Sequence, residues 1–158
     1  MLRVDIRDLQ RGPVRTDGEL GPDDPVLQGL GLNLVGAVSV DGQLQATGEG
    51  EFLWRGSLHA VVRGECRRCL TEVLEEIHAE VGGAIFSTDP EAADQADFYP
   101  LPARTSSIDV SAVIREELAL AVPTHLLLCS EGCAGLCSRC GADLNAGPCA
   151  CRTSAEPV

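Results

Sequence analysis

Six of the eight cysteines in this 158-residue chain fall between positions 129 and 151, in the run CSEGCAGLCSRCGADLNAGPCAC. A segment this short and polar cannot bury enough apolar surface to order itself, so something must tie its thiols together. Cys137-x-x-Cys140-Gly141 has the form of a zinc knuckle, with Gly141 free to take the left-handed backbone that a tight return needs. Asn145 and Gly147 allow a second reversal before Cys149-x-Cys151. The spacing therefore points to one tetrahedral four-thiolate zinc site built from Cys137, Cys140, Cys149 and Cys151.

Cys129 and Cys133 leave alternatives open. They could replace Cys149 and Cys151 in that site, or join an upstream pair, Cys66 and Cys69, in a second four-thiolate centre. The upstream segment GECRRCL itself has three readings: a zinc half-site, a redox dithiol whose thiolates Arg67 and Arg68 would favour, or two small buried residues at a strand end. No βαβ pattern of the thioredoxin kind surrounds it. Iron–sulfur ligation also uses thiolates, but the usual ferredoxin spacings are missing and a glycine after C-x-x-C favours zinc.

Charge and composition narrow the partners. The net charge is -12, which opposes non-specific nucleic-acid binding. All basic residues are arginine, and they cluster locally as Arg3, Arg7, Arg11 and Arg15, and as Arg63, Arg67 and Arg68 around the first C-x-x-C. Acids concentrate between 71 and 103, a stretch that holds no arginine. Aromatic residues make up only 3%, so stacking platforms for single strands are nearly absent and the core must be aliphatic. No apolar run reaches the length of a membrane span, and the start, MLRVDIRDLQRG, has no apolar signal region. A reducing cytosol is the expected setting, and there eight cysteines are better explained by metal than by disulfides.

Periodicity gives the elements. Residues 2–9 and 51–65 alternate as half-buried strands, 32–40 is β-branched, and Asp41-Gly42 signals a hairpin. Residues 71–86 fit strand and helix almost equally, with their hairpin-rich context favouring strand. Residues 11–31 read as loop and 87–107 as an acidic connector. Val110, Val113, Ile114, Leu118 and Ala121 recur at helical spacing across 108–122, with Ser107 or Asp109 as cap and Pro123 as stop. The expectation is an α+β fold: a curled or barrel-like antiparallel sheet closed by one main helix. A domain over 1–128 precedes a cysteine-rich zinc-binding appendage over 129–151 and a flexible tail over 152–158. Catalytic constellations are poor. His59, His78 and His125 are isolated in sequence, with His125 a spare ligand or packing residue, and no triad order, phosphate loop or dinucleotide fingerprint occurs.

GECRRCL, IDVSAVIREELALAVP and LCSEGCAGLCSRCGADLN together resemble the YceD-like family, whose bacterial members are called large ribosomal RNA subunit accumulation proteins. The resemblance runs from about residue 32 to 151; the cysteine-rich tail resembles only one branch. It implies a cytoplasmic, non-enzymatic role in synthesis, processing or stability of large-subunit (23S) ribosomal RNA, with Cys66, Arg68, Cys69 and Leu70 as signature positions. Expected partners are ribosomal RNA or a pre-ribosomal particle, directly or through a ribosomal or processing protein, with no membrane and no small-molecule substrate. Arg63, Arg67 and Arg68 are the expected contact residues. The rival reading is an acidic adaptor that docks on a basic ribosomal protein or RNA-processing enzyme. A thiol oxidoreductase is a third.

Overall fold

Strict alternation along Val38, Val40, Gly42 and Leu44, with Ser39, Asp41 and Gln43 between them, makes one face of a strand apolar and the other wet. In the computed structural model, which describes residues 1–95, 98–122 and 127–152, this is β4 (Val38–Gly48). It follows β1 (Arg3–Asp5), a short helix α1 (Ile6–Leu9), β2 (Val14–Arg15) and β3 (Gly18–Leu20). Two long strands come next, β5 (Glu51–Glu65) and β6 (Glu72–Ser87), then β7 (Phe98–Pro100), β8 (Ser107–Asp109) and helix α2 (Ser111–Ala121).

The main sheet runs β2-β4-β5-β6-β7, with β3 also pairing β4, and a small second sheet pairs β1 with β8. Strand β4 is antiparallel to β5, whereas β7 lies parallel to β6. The chain divides into two compact units. The first holds residues 1–62 and 76–122; the second holds 63–75 and 123–158.

The first unit has a single apolar core. Trp54, Leu44, Val38 and Leu58 supply it from the sheet, Val4 and Ile108 from the β1–β8 pair, and Val113, Ile114 and Leu118 from α2. Trp54 explains two glycines. Its indole lies across the paired Gly42 and Gly56, and a Cβ on Gly42 would come within 2.7 Å of the ring. The buried indole N–H donates to Thr16 Oγ1 at 2.7 Å, so its one polar group is satisfied.

That arrangement corrects the hairpin reading of Asp41-Gly42. Both residues sit inside β4, and the chain reverses instead at Glu49-Gly50, where Gly50 has φ +70. The glycine at 42 answers to ring packing, not to a turn. The connector over 87–107 also carries structure: a 3-10 turn over Pro90–Asp94 and the strands β7 and β8. The segment 71–86 is strand, as its context favoured. Helix α2 starts where Asp109 accepts the Ser111 N–H at 2.9 Å.

The expected α+β fold with a curled or barrel-like sheet closed by a main helix does not hold. The described residues are mostly β, with α2 the one helix of more than a single turn. A barrel requires its terminal strands to pair with each other. Here the path ends at β2 and β7, two- and three-residue strands that pair on one side only, and β7 breaks the antiparallel pattern. Three-residue edges offer too few ladder hydrogen bonds to close a sheet. No described helix is long and apolar enough to cross a membrane. The helix stop at Pro123, the ligand role considered for His125 and the tail beyond Arg152 lie outside the described residues.

Candidate metal centre

The second unit is built on two knuckles of the same design. In the first, the Leu70 N–H returns to the Cys66 carbonyl at 2.8 Å and the Arg68 N–H points at the Cys66 sulfur at 3.5 Å. In the second, the Gly141 N–H returns to the Cys137 carbonyl at 2.8 Å and the Arg139 N–H points at the Cys137 sulfur at 3.4 Å. The residue after each C-x-x-C is left-handed, with φ 73 at Gly141 and φ 60 at Leu70. A leucine there bears a steric penalty of roughly 1–2 kcal/mol that glycine escapes.

Each knuckle meets two more thiols. Cys66 and Cys69, in the connection between β5 and β6, face Cys129 and Cys133; Cys137 and Cys140 face Cys149 and Cys151. Within each group of four, the sulfurs all lie within 4.8 Å of one another. Cys66 and Cys133 are 3.8 Å apart, and Cys69 and Cys129 are 3.5 Å apart. All eight cysteines are free thiols. Four thiolates held about 2.3 Å from one ion in a tetrahedron sit about 3.8 Å from each other, so the sulfur spacing fits a shared metal ion. The donor set fits as well, being four soft sulfurs in each cluster. Both clusters could hold a metal ion.

The thiols divide electrostatically. The Cys129 N–H and its neighbours hold the Cys66 thiol down at about 6, and the Cys140 and Arg139 N–H groups do the same for Cys137. Facing sulfurs, those of Cys133 and Cys140 foremost, push Cys129 and Cys151 up to about 12. Four thiolates cannot crowd together uncompensated. In the first cluster Cys66 and Cys69 are held down and Cys129 is pushed up; in the second Cys137 is held down and Cys149 and Cys151 are pushed up, so a cation is needed before all four sulfurs of either cluster ionise.

The surroundings differ. Cys66, Cys69 and Cys133 are buried and pack with Val73, Leu128 and Leu136. Asn145 braces this cluster from the other loop: its Nδ2 donates to Cys133 Sγ at 3.4 Å and its Oδ1 accepts from the Ala134 N–H at 2.8 Å. Cys129 is the exposed member of this cluster; the second cluster is more open, with Cys140 exposed and the others half-buried. It borders a cavity of about 400 Å³ lined by Leu136, Ser138, Arg139 and Leu144.

The eight cysteines thus sort into the fours 66, 69, 129, 133 and 137, 140, 149, 151, and Cys129 and Cys133 do not substitute for Cys149 and Cys151. The arginines expected at a contact surface are partly engaged. Arg68 Nη1 donates to the Cys133 carbonyl at 3.0 Å, and Arg63 approaches Glu72 at 3.6 Å. Arg67 is exposed. Sequence reasoning missed two partners. Asn145 braces a cysteine 12 positions upstream. His59 and His78, isolated along the chain, stand side by side on the sheet.

What these elements define is a β-sheet protein whose second unit is organised by paired C-x-x-C knuckles. The family model described as large ribosomal RNA subunit accumulation protein YceD matches residues 54–157. The chain belongs to the YceD family, whose name ties it to accumulation of the large-subunit ribosomal RNA. No curated protein and no solved structure matches the chain.

Proposed function

We propose that this protein is a non-enzymatic, cytoplasmic ribosome-biogenesis factor that supports synthesis, processing or stability of 23S ribosomal RNA. Two zinc ions act as its structural clasps. The observation that carries the reading is the family match, which spans both knuckles. Zinc supplies no chemistry here beyond cross-linking. Four sulfur ligands fill a tetrahedral shell and leave no position for an activated water. The same argument weighs against an oxidoreductase, because ligated thiolates are withheld from disulfide exchange. In a deletion strain, the 23S to 16S ratio is expected to fall. The wild-type gene restores it, and a gene carrying Cys66→Ser with Cys69→Ser does not. An unchanged ratio on deletion contradicts the proposal.

Contact with RNA or a pre-ribosomal particle is assigned to Arg63 and Arg67, with Arg68 chiefly a brace for Cys133. Arg67→Ala with Arg63→Ala is expected to weaken association and flatten its salt dependence. An identical salt slope contradicts direct contact. The acidic adaptor remains the second reading, supported by the net charge of -12 and by the internal partner of Arg68. Association with a basic ribosomal or processing protein that survives nuclease treatment favours it.

A further inference from the structure

The solvent face of the main sheet carries a cluster of a different chemistry. His59 on β5 follows the core-facing Leu58, and His78 on β6 follows the core-facing Ile77, so both imidazoles stand on the wet side. The two strands are neighbours in the sheet. The imidazole rings lie with centroids 4.5 Å apart and planes tilted by 37°. Glu76, two residues before His78 and therefore on the same face, brings a carboxylate oxygen to 3.6 Å from His78 Nε2. A ligand atom from each of the three lies within 4.8 Å of the other two.

We infer that His59, His78 and Glu76 form a binding site for a divalent transition-metal cation, separate in place and chemistry from the cysteine clusters. Two imidazoles and one carboxylate are a borderline donor set, suited to zinc, cobalt or nickel and poor for calcium or magnesium. An ion about 2.1 Å from each donor needs those donors about 3.4 Å apart. His78 and Glu76 are exposed and His59 is half-buried, which leaves these side chains room to rotate toward a shared ion.

The surroundings favour a cation. The histidines open onto a cavity of about 550 Å³ that also meets Asp17, Glu19, Asp41 and Glu80. Arg15 pairs with both Asp17 and Asp41, at 3.1 and 3.0 Å, and offsets one of their two charges, so that with Glu19 and Glu80 the rim stays negative. Three protein ligands leave coordination positions open toward that cavity, unlike the filled shell of a four-thiolate clasp.

Histidine NMR tests the site cleanly, because the chain has three histidines. Zinc is titrated into the full-length protein beyond the amount its cysteines take, and the imidazole ring signals are followed. The ring signals of His59 and His78 are expected to move together while that of His125 stays where the earlier equivalents left it. Calorimetry should show a weaker binding event, lost in the His59→Gln, His78→Gln variant, whose far-UV spectrum is unchanged because both residues lie on the solvent face. Unmoved His59 and His78 signals overturn the inference, as does a weak event that survives the double substitution. The readout is which rings respond, so it stands whether or not the cysteines bind metal.

Discussion

The two cysteine clusters share a local grammar and differ in reach. Cys137, Cys140, Cys149 and Cys151 lie within one short stretch, so their cluster organises only itself. Cys66 and Cys69 face sulfurs 67 and 60 residues further along the chain. Closing a loop of that length costs chain entropy that a handful of van der Waals contacts does not recover. The first cluster is accordingly the more buried one, with only Cys129 exposed, packed with Val73, Leu128 and Leu136 and braced by Asn145, while the second lies more open. The contrast teaches that one motif can do two jobs. A local knuckle shapes a loop, and a long-range knuckle decides which distant segments stay together.

Removing ligands breaks the comparison hardest. Apparent ligation energies of structural zinc are about 10–16 kcal/mol in zinc-finger peptides, comparable to or above the whole stability of a typical domain. Cys66→Ser with Cys69→Ser is expected to lose one ion and expose residues 127–152 to limited proteolysis. Cys137→Ser with Cys140→Ser should also lose one ion, with cleavage confined to 137–151. Native mass spectrometry and digestion patterns read both. Equal damage from the two variants would erase the distinction between long-range and local clasps.

A chelator sharpens it next. The open cluster should surrender its ion first and the buried one much later, giving two well-separated phases of zinc release; a single phase would contradict the burial argument. Asn145→Ala should then weaken the buried site about 10- to 100-fold by removing the amide donor to Cys133 Sγ, as loss of outer hydrogen bonds does at metal sites. Competition with a zinc indicator measures this, and the open site should be unaffected.

Acidity acts on both clusters. Cys66 and Cys137, held near 6, lie below the ordinary thiol value of 9.0, so their stabilisation is present above 9 and is lost as pH falls through about 6. Cys129 and Cys151, near 12, have the opposite sign: without a cation they resist ionisation, and alkaline pH above 9 destabilises the fold. Metal binding must expel those protons. The holoprotein should therefore melt at lower temperature as pH drops from 8 to 6, while the chelated protein should lose stability as pH rises above 9.

The smallest effect lies in the two left-handed residues. Leu70→Gly removes a penalty of roughly 1–2 kcal/mol and adds about 0.5–1 kcal/mol of glycine entropy, for a net gain under about 1.5 kcal/mol. Gly141→Ala should cost roughly 1 kcal/mol by the reverse logic, since no atom lies within 4 Å to clash with the new Cβ. Denaturant midpoints of the two variants should shift in opposite directions.

Residue spacing made much of the second unit legible. C-x-x-C is a local signal, and Gly141 announces the left-handed position after it. Leu70 occupies the equivalent position without announcing it, because leucine rarely adopts that backbone. The division of eight thiols into two fours was one of several open pairings, since proximity between Cys66 and Cys133 belongs to the fold and leaves no local trace. The strand alternation of β5 was readable for the same local reason, whereas 71–86 fitted helix almost as well as strand and β4 was cut in two by the hairpin reading at Asp41-Gly42. That the sheet stays open was not readable, because pairing between edges is non-local. Asp41-Gly42 misled because a glycine beneath an indole and a glycine in a turn look alike in sequence. His59 and His78 were unreadable as a pair until strand register set them side by side.

Sulfur ligation in both clusters is most directly tested by zinc-edge X-ray absorption on protein carrying two zinc ions per chain. The account predicts a shell of four sulfurs at about 2.3 Å with no nitrogen or oxygen. A mixed shell, or a protein that retains fewer than two ions, would contradict it.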